Sequence, residues 1–158
     1  IGLLPNVEIA EQALEVIQAH QDIPVVLDPV LVCKDTHDTE VSQLRDELLK
    51  FFPYVTILTP NLAEAQLLIQ RDIQTVEEMK QAARDLYDLG AKHVVMKGGN
   101  RLDKDKAMDV YYDGQTIEVL ESPILTSNNV GAGCTFASSM ARQLVLGKDP
   151  LEAVRLSK

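Results

Sequence analysis

The chain of 158 residues sets 15 Lys and Arg against 24 Asp and Glu, a formal net charge of −9, with 46% hydrophobic and 25% charged residues. That length fits one domain, residues 1–158, and the composition is that of a folded chain without long disordered tails. An acidic chain with no basic block is poorly suited to nucleic acid or an anionic membrane surface, and no apolar run approaches the ~20 residues of a membrane helix.

No charged-then-apolar leader opens the sequence, so a cytoplasmic protein is expected. Its two cysteines, Cys33 and Cys134, form no ligand cluster. Two thiols in such a chain are expected to stay reduced, although a structural bridge is the alternative. The sequence begins at Ile1 and stops at Lys158 inside an apolar-periodic segment (Leu151, Val154, Leu156), so a piece of a longer protein is expected.

Pro5 to His20 has the helical spacing Val7, Ala10, Leu14, Ile17. Pro24 to Leu27 reads as a buried strand leaving through Asp28-Pro29. Asp38 to Phe52 is helical again, with Val41, Leu44, Leu48 and Phe51 on one face. Val55 to Leu58 is a second buried strand, closed by Thr59-Pro60, and Asn61 is placed to cap a helix running to Ile69. Thr75 and Glu78 have capping-box spacing, and Gly90 is a natural stop for the helix they open. His93 to Met96 reads as a third strand, followed by Lys97-Gly98-Gly99. Arg101 to Lys106 reads as an exposed, mobile loop. Ala107–Tyr112 and Gln115–Leu120 flank Asp113-Gly114, a hairpin signal. A last helix is expected from about Cys134 to Leu146, stopped by Gly147. Alternating strands and helices predict an α/β fold with a mostly parallel sheet, helices on its faces and one hairpin.

Ligands of such sheets gather beyond the carboxyl ends of the strands. Asp28, then Thr59 and Asn61, then Lys97 follow the three strands, so a carboxylate, an amide and an ammonium should share one edge, unless these are merely polar turns. Asn128 to Phe136 contains Gly131-Ala132-Gly133 ahead of a helix. That reads either as a backbone anion site at a helix N-terminus or as a tight turn packed for steric reasons. It is no Walker A loop, whose Lys and Ser/Thr spacing is absent. The charge pattern favours an anion, since no Asp or Glu lies between Glu121 and Asp149. Cys134 in the first helical turn reads either as a thiol activated by the positive helix end or as a small buried hydrophobe. His20, His37 and His93 lack ligand spacing. His93 belongs to a strand and the other two to the surface.

Five stretches together resemble the vitamin branch of the ribokinase-like small-molecule kinases, which includes pyridoxal/pyridoxine and hydroxymethylpyrimidine (phosphate) kinases. They are Val26-Leu27-Asp28-Pro29-Val30, Thr59-Pro60-Asn61-Leu62-Ala63-Glu64, Val95-Met96-Lys97-Gly98-Gly99, Asp109-Val110-Tyr111-Tyr112-Asp113-Gly114 and Gly131-Ala132-Gly133-Cys134-Thr135-Phe136. The resemblance implies a ribokinase-like fold, incomplete here at both ends, and ATP-dependent phosphorylation of a hydroxymethyl group on a vitamin precursor. It implies ATP and Mg²⁺ as cofactors, a small-molecule partner and a homodimer.

By the same resemblance, Gly131, Ala132 and Gly133 form the anion hole and Cys134 holds the catalytic-base position. Asn61, Lys97 and Thr135 meet the nucleotide, and Asp28 and Glu64 organise the metal. Cys33 matches a lid cysteine near the substrate. The branch usually reads His-Gly-Thr-Gly-Cys-Thr, so Val130 and Ala132 depart from it, while Gly-Ala-Gly is common among the sugar kinases. Its members run to about 250–300 residues, so the N-terminal third and the last helices are expected to be missing. A sugar or nucleoside kinase of the same fold and a non-catalytic nucleotide-binding remnant stay as alternatives.

Overall fold

The computed structural model describes residues 1–31, 38–124 and 131–158. In chain order the elements are α1 (Val7–Ala19), β1 (Val26–Leu27), α2 (Asp38–Leu49), a 3₁₀ turn (Phe52–Tyr54), β2 (Ile57–Leu58), α3 (Leu62–Ile69), α4 (Val76–Asp88), β3 (Val94–Lys97), β4 (Lys106–Tyr112), β5 (Ile117–Pro123), α5 (Ala132–Val145) and α6 (Pro150–Ser157).

The strands form one sheet in sequential order, β1-β2-β3-β4-β5. The pairings β1–β2 and β2–β3 are parallel, while β3–β4 and β4–β5 are antiparallel. The expected parallel sheet is therefore its first three strands, and the hairpin joins the same sheet and makes it mixed.

Burial explains why the first strands read as unbroken apolar runs. Leu27, Leu58, Val94, Met96 and Val110 belong to a core shared with α1 to α4. Their neighbours Val26, Ile57, Val95 and Tyr111 belong to a second core with Ala137, Met140 and Val154 of α5 and α6. Successive strand residues point to opposite faces, and here both faces are covered by helices. The result is three layers, helix on sheet on helix.

Local sequence signals set the element ends. Asn6, Thr75 and Asp149 each cap a helix through their side chains, and Thr75 with Glu78 forms the expected capping box. The Asp113-Gly114 hairpin is closed by Asp113 Oδ1, which accepts the N–H groups of Gln115 (2.9 Å) and Thr116 (2.6 Å). Gly114 has φ +91°, and a Cβ there would lie 2.4 Å from the Tyr87 ring, so only glycine fits. The stretch after Gly99 is mainly exposed and contains a turn, because Asp103 accepts the N–H groups of Asp105 and Lys106.

Several element bounds depart from the sequence reading. The strands expected at Pro24–Leu27, Val55–Leu58, His93–Met96 and Gln115–Leu120 run instead over Val26–Leu27, Ile57–Leu58, Val94–Lys97 and Ile117–Pro123. The second helix stops at Leu49, and Pro53 lies within a separate 3₁₀ turn that carries the chain to β2. Helix α5 begins two residues before Cys134, with Gly131 as its N-cap in the left-handed region (φ +92°). The apolar-periodic end of the chain is a further helix, α6, with Pro150 in its first turn.

Candidate active site

Because β1, β2 and β3 are adjacent and parallel, the residues that leave their carboxyl ends become neighbours. Asp28 follows β1, Thr59 follows β2, and Lys97 ends β3. Asn61 makes one further parallel bridge to Lys97, and the Lys97 N–H donates to the Pro60 carbonyl (2.8 Å). The carboxylate, amide and ammonium expected on one edge therefore do share it.

Asp28 is 4% exposed. Its Oδ1 accepts Lys97 Nζ at 2.6 Å and Thr59 Oγ1 at 3.1 Å. A buried carboxylate keeps its charge only with such partners. The other carboxylate oxygen points toward the first turn of α5. A Cβ placed on Gly133 would sit 3.2 Å from Lys97 Nζ and 3.9 Å from Asp28 Oδ2. Glycine thus lets the N-terminus of α5 close over the ion pair. The helix brings its free N–H groups to the same place as the ammonium, an arrangement suited to a phosphate or a developing oxyanion.

Asn61 and Glu64 are locked to each other. Glu64 N–H donates to Asn61 Oδ1 (3.0 Å) and Asn61 N–H donates to Glu64 Oε2 (2.8 Å), a full capping box on α3. Burial pushes the Glu64 carboxyl above the usual range, and nearby Asp28 adds to this. The Asn61 N–H bond and the charge of Lys97 oppose the shift. Asp28 and Glu64 are two buried carboxyl groups that both feel the charge of Lys97, and only Asp28 is paired with it among the described residues.

An open cleft of about 820 Å³ lies beside this cluster, with Asn61, Lys97, Gly131, Ala132, Gly133 and Thr135 in its wall. Six of the expected site residues are thereby brought together, and Asp28 lies just beneath them. Cys134 stands in the first turn of α5 with its thiol exposed, which rules out the buried-hydrophobe alternative. It is not part of the cleft wall and stands on the same turn as Thr135, which is. Cys33 and Val130 lie outside the described residues.

The sequence reading missed several contributors. Asp109 accepts the Gly98 N–H at Oδ1 (3.1 Å) and Lys158 Nζ at Oδ2 (2.8 Å), and Lys158 also donates to the Leu120 carbonyl (2.6 Å). These bonds fix the turn after Lys97 against β4, β5 and the end of α6. Arg101, expected only as a loop residue, also faces the cleft. The pointer to Asp109 was a charged residue inside an otherwise apolar strand pattern. Lys158 gave no local signal, since its partners are 49 and 38 residues away in sequence.

The fold and this edge are those of a ribokinase-like kinase domain, and comparison with known proteins gives the family. Residues 1–158 match the phosphomethylpyrimidine kinase family throughout, and the chain belongs to it. It is 42% identical to the pyridoxine kinase of Bacillus subtilis over 99% of this chain and 59% of that protein. The ADP complex of Bacillus subtilis pyridoxal kinase superposes with a TM-score of 0.91 at 40% identity, over 99% of this chain and 60% of that one. The Staphylococcus aureus pyridoxal kinase in complex with AMP-PCP and pyridoxal gives 0.89 at 40% identity, over 99% and 56%. The chain thus spans somewhat less than two thirds of the length of these relatives.

Proposed function

We propose that the protein containing this chain is an ATP-dependent kinase that phosphorylates a hydroxymethyl group on a vitamin B6 or thiamine-pyrimidine precursor. The observation that carries the reading is the Asp28–Lys97 pair lying under Gly133, where the N-terminus of α5 meets the carboxyl ends of three adjacent strands. Relatives of known structure bind ADP, AMP-PCP and pyridoxal, which supports the same ligand classes here.

In this reading Gly131, Ala132 and Gly133 cradle the transferring phosphoryl group with backbone N–H groups. Lys97 neutralises it, and Asn61 and Thr135 border the remaining phosphates. Cys134 takes the proton from the attacking hydroxymethyl oxygen, and Cys33 closes over the acceptor. The bond formed joins that oxygen to the γ-phosphorus, the bond broken is the β,γ-bridge, and ADP leaves with the electron pair. Positioning and charge neutralisation supply most of the rate.

Asp28 and Glu64 would hold Mg²⁺, directly or through water. Two carboxylates beside a phosphate site suit that ion, which usually takes one or two carboxylates and completes its shell with phosphate and water. Bound there, it would neutralise phosphate charge. Glu64→Gln keeps an acceptor for the Asn61 N–H and removes the buried charge. It should raise the magnesium requirement by about tenfold without loss of folding, as read by a magnesium titration of turnover. An unchanged titration returns Glu64 to a helix cap.

A homodimer and a cytoplasmic setting belong to the same reading and rest on the family likeness; sedimentation of the full-length protein tests the first. The decisive assay for the function is ADP release by the full-length protein with pyridoxal and with hydroxymethylpyrimidine as acceptors. Nucleotide binding with no transfer to either would leave a binding protein, not a kinase.

A further inference from the structure

Four polar or charged side chains are buried among the described residues, Asp28, Glu47, Thr59 and Glu64, and of these Thr59 alone is 0% exposed. It stands at the carboxyl end of β2, one residue after the strand. Valine has the same branched shape and would bury a methyl there in place of the hydroxyl, with no polar group to satisfy. The hydroxyl has two acceptors within reach, Asp28 Oδ1 at 3.1 Å and the Leu27 carbonyl at 3.4 Å, and one proton to give. The Leu27 carbonyl already accepts the Thr59 N–H at 2.9 Å, and a carboxylate is the stronger acceptor. The proton therefore goes to Asp28.

That bond decides which way the carboxylate faces. Asp28 and Lys97 come from β1 and β3, which are not neighbours; β2 runs between them, and Thr59 stands at its end. The terminal torsion of an aspartate is broad and does not hold its own plane. A lysine ammonium is a point charge with three donors on a flexible stem. Left to themselves, the two would turn until the ammonium sat between both carboxylate oxygens. Thr59 is stiff at χ1 because it is branched, and its backbone N–H is bonded to β1. It meets the same oxygen as Lys97, Oδ1, while Oδ2 is turned toward Gly133. Held by one oxygen, Lys97 keeps 16% of its side chain exposed and lies in the cleft wall. An ammonium seated between two oxygens would be drawn back from that wall and would turn more of its donors inward.

We propose that Thr59 is a positioning residue: its hydroxyl fixes the Asp28 carboxylate by one oxygen and so keeps the Lys97 ammonium directed at the phosphoryl group. It touches no ligand itself and acts only through Asp28. This inference rests on the kinase reading above, because it requires that Lys97 meet a phosphoryl group.

The test is calorimetric titration of the full-length protein with AMP-PCP at one magnesium concentration, with ligand-free melting as the check on folding. Thr59→Val keeps the shape and removes the hydroxyl, and it should bind AMP-PCP about tenfold more weakly. Thr59→Ser keeps the hydroxyl and loses a buried methyl. It should melt lower than wild type and yet bind AMP-PCP nearly as well, so that affinity follows the hydroxyl and not the stability. Should the valine variant not fold, Thr59→Ser against Thr59→Ala gives the same comparison without the methyl. A double-mutant cycle then separates positioning from structure: in a Lys97→Met background, Thr59→Val should cost no further affinity, because the group it directs is gone. Wild-type affinity in folded Thr59→Val, equal weakening in the serine and valine variants, or the same loss with and without Lys97 would each overturn the role and leave the kinase reading intact. Failure of the wild type itself to bind AMP-PCP would remove the kinase reading, and this inference with it.

Discussion

Two polar clusters sit at opposite ends of β3. At its carboxyl end, Asp28 is held by Lys97 and Thr59. Just before its start, His93 Nδ1 lies 2.9 Å from Tyr111 Oη, which in turn donates to Asp113 Oδ2 at 3.3 Å. Both clusters are at least partly buried, and both contain a carboxyl group. The second is closed: the two rings stack at 6.1 Å, Tyr111 is part of the core under α5 and α6, and Asp113 is committed to the hairpin turn. The first, among the described residues, lies under Gly133 and opens at Lys97 into a cleft. Buried polarity therefore does not by itself mark a site. A missing side chain above it and a helix N-terminus aimed at it do.

The largest break in that comparison should come from the thiol beside the open cluster. Cys134→Ala in the full-length protein should lower turnover by about 10²–10⁴-fold, the usual loss for a general base, with ADP affinity within a few-fold of wild type. Near-normal kcat would end its assignment as the base. Lys97→Met should act on both binding and folding. It removes the cation for the phosphoryl group and leaves Asp28 buried with Thr59 as its remaining side-chain partner among the described residues. Loss of one partner of a buried pair costs about 3 kcal/mol or more. The double variant Lys97→Met with Asp28→Asn should recover much of the stability in urea but none of the ADP affinity. Recovery of both would make the pair purely structural.

A smaller change tests the roof alone. Gly133→Ala places a methyl 3.2 Å from Lys97 Nζ, so the ammonium must give way by a few tenths of an ångström. The backbone of Gly133 lies outside the left-handed region, so folding should survive. Misplacement of this kind should weaken ADP binding and turnover by about tenfold. A variant as active as wild type would show that close approach of α5 to the ion pair is not needed.

The open cluster was legible in the sequence because each of its parts follows a strand. A buried parallel strand is a short apolar run, and the residue after it is polar, so the pattern alone places Asp28, Thr59, Asn61 and Lys97 on one edge. The hairpin and the capping box were legible for the same reason: their chemistry is local. The long-range bonds of Asp109 and Lys158 were not legible, since neither spacing nor composition links positions 49 apart. Helix α6 showed only as a short apolar period. The closed cluster was missed in the same way. His93 gave no ligand spacing, and its partner Tyr111 lies 18 residues away, brought beside it by antiparallel pairing of β3 and β4.

That closed cluster supplies the smallest prediction. Burial holds the His93 imidazole below its ordinary pKa of 6.5, despite the charges of Asp113 and Asp149 that favour protonation; Lys92 works with burial. The folded state therefore keeps the neutral ring to lower pH than the unfolded chain does. As pH falls below about 6.5, the unfolded chain takes up the proton first. Folding stability is then fully present above that pH and declines beneath it, until the folded ring is protonated too. One proton limits the slope to about 1.4 kcal/mol per pH unit. His93→Gln keeps a side chain able to bond Tyr111 Oη and cannot titrate. Denaturant unfolding of wild type and variant between pH 5 and 8 isolates the effect, because every other residue is the same in both proteins. The stability difference should shift in favour of the variant as the solution is acidified. Parallel curves across that range would mean that His93 is as easily protonated folded as unfolded, and that the closed cluster is less closed than its geometry indicates.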